Sequence, residues 1–222
     1  MTHKAAYIAL AGLLLGTLLT GPTVGAPEPS QAQIEWQLDF VYKTPKPIFV
    51  KVPGKAEPQL FWFMVYKVTN RTGEDRFFVP DIVLYTKTGQ IRRAGQGVNV
   101  AVYEHIKQLL NEPLLRDNVG MTGKMLQGAD NAKRGVAIFT DFDLKAAGFD
   151  IFVGGLSGEF AVVNLPTPIE VTEVNEDGEE RTVTKSSVVL GRTLKLSYGI
   201  RTEARSRIEA KPELKDKTWV MR

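Results

Sequence analysis

Asp141, Asp143 and Asp150 are the residues of this sequence best suited to chemistry. On an extended strand, side chains two apart point the same way. Asp141 and Asp143 would then share a face, as a calcium site or a glycosidase carboxylate pair requires. The spacing is not that of a calcium loop, and aspartates are common at strand ends. The chain has two histidines, His3 near its start and His105, and no cysteine. A multi-histidine zinc or iron site within one chain is therefore excluded once the leader is set aside, and no thiolate can replace the missing ligands. A Ser-His-Asp triad would have to use His105. Its nearest nucleophile motif is Gly155-Leu156-Ser157-Gly158-Glu159, which has Glu159 where a nucleophile elbow needs glycine, and which runs into a strand pattern rather than a helix. Gly95-Gln96-Gly97 precedes a helical pattern, but Val100 stands at the third glycine position of a dinucleotide fingerprint and no strand–helix alternation surrounds it. No catalytic residue, metal ligand or cofactor is expected. An envelope-polymer hydrolase or a calcium-binding protein using Asp141, Asp143 and Asp150 is the alternative expectation.

The N-terminus supplies an address. His3-Lys4 is a short basic start, and Ala5 to Leu19 is apolar apart from glycine and threonine. That length suits a signal peptide and is short for a spanning helix. Residues 1–26 are read as the signal peptide, with Val24 and Ala26 before the cut; Ser30-Gln31-Ala32 is the later alternative, at 32. The alternative is an anchor through an uncleaved N-terminal helix, the one case in which a membrane partner is expected. Without cysteine there is neither a lipid anchor nor a disulfide, although export would permit one. Net charge is +3, too small to imply nucleic acid. Arg92-Arg93 and the basic residues of the C-terminal tail come without interleaved aromatics, and read as solubility. No nucleic-acid partner is expected.

These residues need elements to hold them. Leu60 to Tyr66 is seven apolar residues in a row, the pattern of a strand buried on both faces. The polar turn Asn70-Arg71-Thr72-Gly73-Glu74-Asp75 leads to a second apolar run, Phe77 to Tyr85, and the two predict a hairpin or a strand–corner–strand unit. Asn70-Arg71-Thr72 also fits a glycosylation acceptor. Residues 27–33 form a linker, after which Ile34 to Phe40 alternates as a half-wet strand. Val102, Ile106 and Leu109 fall at helical spacing between Asn99, a cap, and Asn111-Glu112-Pro113, a stop. From Pro113 to Gly135 no period holds, yet Leu114, Leu115, Met121, Met125 and Leu126 are too apolar for a solvated loop, and the stretch reads as a lid packed over an open end of the sandwich or as a contact surface. Strands resume after Gly135, and Asp177-Gly178 between β-rich runs is a hairpin signal. Residues 34–200 are read as one β-sandwich domain, and residues 201–222 as a charged tail whose Trp219-Val220-Met221 could dock back.

The order Asn70-Arg71-Thr72-Gly73, Phe77-Phe78-Val79-Pro80, Leu84 and Gly89 resembles bacterial extracytoplasmic immunoglobulin-like domains of unknown function, over about Leu60 to Ile91. The resemblance implies a corner of "VTN-x-T-G" type between two core strands and no catalytic residues. The expected fold is therefore mainly β, an immunoglobulin-like β-sandwich with one helix and a long glycine-rich insert. The expected function is an exported, non-enzymatic binding or structural module, secreted or periplasmic, whose partner is another envelope protein or polymer. The expected contact surface is the insert, through Leu114, Leu115, Met121, Met125 and Leu126, with the methionines as adaptable apolar area.

Overall fold

A computed structural model describes residues 27–28, 35–143, 145–174, 178–200 and 207–222. The leader expected over 1–26 lies outside them, with most of the linker after it. The first strands are β1 (Asp39–Tyr42), β2 (Lys46–Val50), β3 (Gln59–Thr69), β4 (Arg76–Phe78), β5 (Asp81–Thr86) and β6 (Ile91–Arg93). Helix α1 (Val100–Leu110), the single-turn α2 (Asn118–Met121) and β7 (Gly123–Met125) follow. The chain continues with β8 (Lys133–Thr140), β9 (Gly148–Gly154), β10 (Phe160–Val174), β11 (Glu180–Gly199) and β12 (Glu213–Met221). The protein is mainly β, with several antiparallel sheets, as the sequence predicted.

β3 is the centre. One edge pairs with β8 from Phe61 to Val68, and the other pairs with β2 and then β1. Its even residues Trp62, Met64, Tyr66 and Val68 share a core with Ile82 and Leu84 of β5, Ile151 and Val153 of β9, and Leu194 and Leu196 of β11. Its odd residues Phe61, Phe63 and Val65 face a second cluster, with Val102 and Ile106 of α1. Period-two alternation thus places apolar side chains in two separate cores, which explains the unbroken run. Helix α1 closes the outer face. The Asn99 side chain accepts from Ala101 N at 2.9 Å, and Asn111 ends the helix in the left-handed region at φ 50°.

The two core runs form a corner, not a hairpin. Pro80 divides the second run. β4 turns aside to pair with β7, and β5 joins the sheet of β9 and β11. At the corner Asn70 is fully buried. Its Nδ2 donates to Glu74 O at 2.8 Å and Met125 O at 2.7 Å, while its Oδ1 accepts from Thr72 N at 3.1 Å. Its own carbonyl accepts from Gly128 N at 2.9 Å. The corner therefore holds both its own turn and the insert. A glycan cannot be carried on an amide used in this way.

β11 is twenty residues long and changes neighbours along its length. From Arg192 to Gly199 it pairs with β12, and from Leu194 it pairs also with β9. From Glu180 to Leu190 its only strand partner among the described residues is β10, so the two form a ribbon beyond the core. Pro166 and Pro168 lie where the register shifts, between Asn164 and Ile169. The charged tail ends inside this sheet: Trp219 of β12 lies opposite Leu194 and packs on the core.

Candidate functional site

The insert is ordered and tied to the strands around it. Arg116 N donates to Arg134 O at 3.0 Å and Val136 N donates to Arg116 O at 2.9 Å, laying this stretch parallel to the start of β8. Leu115 is turned into the core and Leu114 out of it, as neighbours on an extended chain must be. The same bridge brings Arg116 beside Lys133 and Arg134, and the β4–β7 pairing brings Lys124. These four cations line an open groove of about 390 Å³, in which Asp130 is the one carboxylate.

Two of the four are already neutralised. Lys124 Nζ lies 2.9 Å from Asp75 Oδ2, and Arg134 Nη2 lies 2.7 Å from Glu112 Oε1. Arg116 reaches only the carbonyl of Gly120, at 3.4 Å. Lys133 is half-buried and has no ion-pair partner among the described residues. Burial, and then the Arg116 guanidinium, pull the Lys133 ammonium below the ordinary lysine value. A bound anion would offset the Arg116 field, since an opposite charge favours the charged form. A second hollow of about 260 Å³, between the start of α1 and α2, is mostly apolar. Its carboxylate Asp117 is used as a cap, accepting from Gly120 N at 2.7 Å.

The residues expected at the contact surface divide. Leu114 and Leu126 lie on the rim of the groove, 83% and 46% exposed. Leu115, Met121 and Met125 do not belong to a surface, which corrects the expectation for them: all three are buried. Met121 and Met125 sit with Tyr66 and Phe78 in the main core, where β4–β7 pairing and the Asn70 corner draw them in. Each of the three aspartates has partners within the fold. Asp141 Oδ1 accepts from Trp62 Nε1 at 3.0 Å, and Asp143 Oδ1 accepts from Lys145 N at 2.8 Å. Asp150 lies 2.8 Å from Lys87 Nζ and 3.8 Å from Lys195 Nζ. Burial works against its charge, but hydrogen bonds from Lys87 and Ser197 and the fields of both lysines outweigh it, and hold the carboxyl below its ordinary value. No three His, Cys, Asp or Glu among the described residues are grouped to hold a metal.

His105 is exposed on α1. Ser157 Oγ donates to Trp36 O at 3.3 Å within a bridge to Gln37. Gly95 and Gly97 both have positive φ and make the turn before α1. Arg92 and Arg93, the basic pair visible in the sequence, are spent on Asp141 O at 3.1 Å and on Asp81 at 2.8 Å. The groove cations were not visible as a group, because a parallel bridge between Arg116 and Gly135 assembles them. Among the described residues no helix is long and apolar enough to cross a membrane. Comparison with protein-family models, curated proteins and solved structures finds no match to this chain.

Proposed function

We propose that this protein is a non-enzymatic binding module of the cell envelope, exported on the leader at residues 1–26, and that its groove holds an anionic segment of an envelope protein or polymer. One observation carries the reading: Arg116 and half-buried Lys133 share a groove without an ion-pair partner among the described residues. Such a pair repels itself until an anion arrives, so the groove gains more from a ligand than a neutralised surface would. The exposed Leu114 and Leu126 add apolar contact at the rim. Two antiparallel sheets over one core, with the Val68-Thr69-Asn70-Arg71-Thr72-Gly73 corner between them, support the immunoglobulin-like reading of the fold.

The probe is a fluorescent poly-glutamate peptide, followed by anisotropy. Each hydrogen bond to a charged group is worth about 1.5–3 kcal/mol. Replacing both Arg116→Gln and Lys133→Gln is therefore expected to weaken binding at least ~10-fold, since ~1.4 kcal/mol is tenfold in affinity. Equal affinity of variant and wild type for poly-glutamate removes the groove as the site. Recovery of the protein from the cytosol with its leader intact removes export.

A further inference from the structure

We propose that the anionic segment is the ribbon of a second copy of this chain: the distal end of β10–β11 in one copy seats an acidic face in the Arg116–Lys133 groove of the next. This rests on the groove being a binding site, and it names the occupant. Three observations lead to it.

The first is the state of the ribbon. From Glu180 to Leu190, β11 has β10 as its only strand partner among the described residues, and the face that carries Glu170, Thr172, Val174, Glu180, Thr182 and Thr184 is exposed. A two-stranded hairpin alone is marginal in water, so an element this long gains from a partner surface.

The second is how its charge is sorted. Between Glu170 and Glu180 the sequence has six carboxylates and no cation. Cross-strand partners share a face, and the face alternates along the strand. The register pairs Glu170 with Thr184, Thr172 with Thr182 and Val174 with Glu180, which puts these three pairs on one side. That side carries Glu170 and Glu180, and no cation. The opposite side has Glu173 paired to Lys185, with Arg181 beside them. The ribbon thus has a neutralised face and an acidic one, and neither Glu170 nor Glu180 is in an ion pair among the described residues.

The third is complementarity. The groove offers two cations without an ion pair among the described residues and exposed Leu114 and Leu126 on its rim; the acidic face offers two glutamates likewise without an ion pair there and Val174, 65% exposed. Within one chain no described carboxylate of the ribbon is paired with Arg116 or Lys133. Ribbon and groove are different surfaces, so the contact is heterologous and builds a ring or an open chain.

The test is sedimentation velocity on the purified full-length chain, with two charge-neutralised variants. One has Arg116→Gln and Lys133→Gln in the groove; the other has Glu170→Gln and Glu180→Gln on the ribbon. Wild type should show mass that rises with concentration at about 0.1 M salt and falls to monomer near 1 M, as the screening length drops from ~10 to ~3 Å. Each variant alone should be monomeric. Their mixture has one intact ribbon and one intact groove, and should form a one-to-one pair and nothing larger, which no misfolding of either variant would produce. Monomeric wild type at low salt, or a silent mixture, overturns the proposal. The poly-glutamate assay separates the two readings: no self-association with peptide binding intact overturns the second copy alone, and loss of both overturns the groove as well.

Discussion

Asn70 shows how much of this fold rests on a single amide. It is fully buried, its amine feeds two carbonyls from different segments, and its oxygen closes the turn at Thr72. Asn70→Asp keeps the shape and the acceptor but turns a carboxylate oxygen toward Glu74 O and Met125 O. Two buried acceptors would lose their donor and face a charge. The expected cost is about 3 kcal/mol or more, read as a lower midpoint in urea unfolding, and Asn70→Ala should cost less than Asn70→Asp. Asp150 gives the pH dependence. Its folded carboxyl titrates below its unfolded value, so its stabilisation is present above the unfolded value near ~3.9 and is lost as pH falls through the lower folded one. Asp150→Asn should therefore cost on the order of 2 kcal/mol at neutral pH, with the gap to wild type closing below about pH 4. A gap that stays constant from neutral pH into acid would show that Lys87 and Lys195 do not hold this charge.

Among the elements, the insert is where packing decides what composition left open. Its apolar residues have no period, so the sequence allows both a packed lid and a contact surface and does not say which residues turn inward. The β4–β7 pairing and the Arg116–Gly135 bridge settle the matter by swinging Met121 and Met125 inward. Gly135 is what allows it: a Cβ there would lie 2.6 Å from Tyr66 Cζ and 2.7 Å from Met121 Cγ, both on buried side chains. Gly135→Ala should therefore destabilise the domain by about 1–3 kcal/mol through overpacking. A thermal melt unchanged by the substitution would place Met121 elsewhere. By contrast β3 and α1 were legible, since each carries its signal within its own residues: apolar side chains on both faces of one, and caps with helical spacing in the other. β10 was legible only in pieces. Pro166 and Pro168 broke the pattern, yet both are accommodated at a register shift, where no ladder bond is required of them.

At the scale of the whole molecule, the edges of the larger sheet limit how copies of the chain can meet. β12 covers β11 from Arg192 to Gly199, and its exposed Lys215 and Lys217 make a poor template for another strand. β10 carries two prolines, and β6 is three residues long. Strand addition is discouraged along these stretches, whereas the β11 edge from Glu180 to Leu190 has no second strand beside it among the described residues; docking of a charged face into the groove differs from pairing at that edge in being sensitive to salt. The chain end secures the arrangement. Arg192 stacks over Trp219 at 4.6 Å, and Arg222 sits 4.9 Å from the Tyr85 ring and donates to its hydroxyl at 2.7 Å. Ending the chain after Pro212 removes these contacts together with Met221, which is buried. It should cost at least ~3 kcal/mol, since loss of one buried methionine side chain alone costs about 2–5. It also opens the β11 edge beside Leu194 and Leu196. The truncated protein is therefore expected to melt earlier and to aggregate through backbone pairing, which ~1 M salt does not reverse because screening acts on charges and not on strand hydrogen bonds. Light scattering at low and high salt distinguishes the two modes: assembly that dissolves in salt belongs to the groove, and assembly that persists belongs to the bared edge. A truncated chain that stays monomeric with an unchanged melt would show that β12 only decorates the sheet.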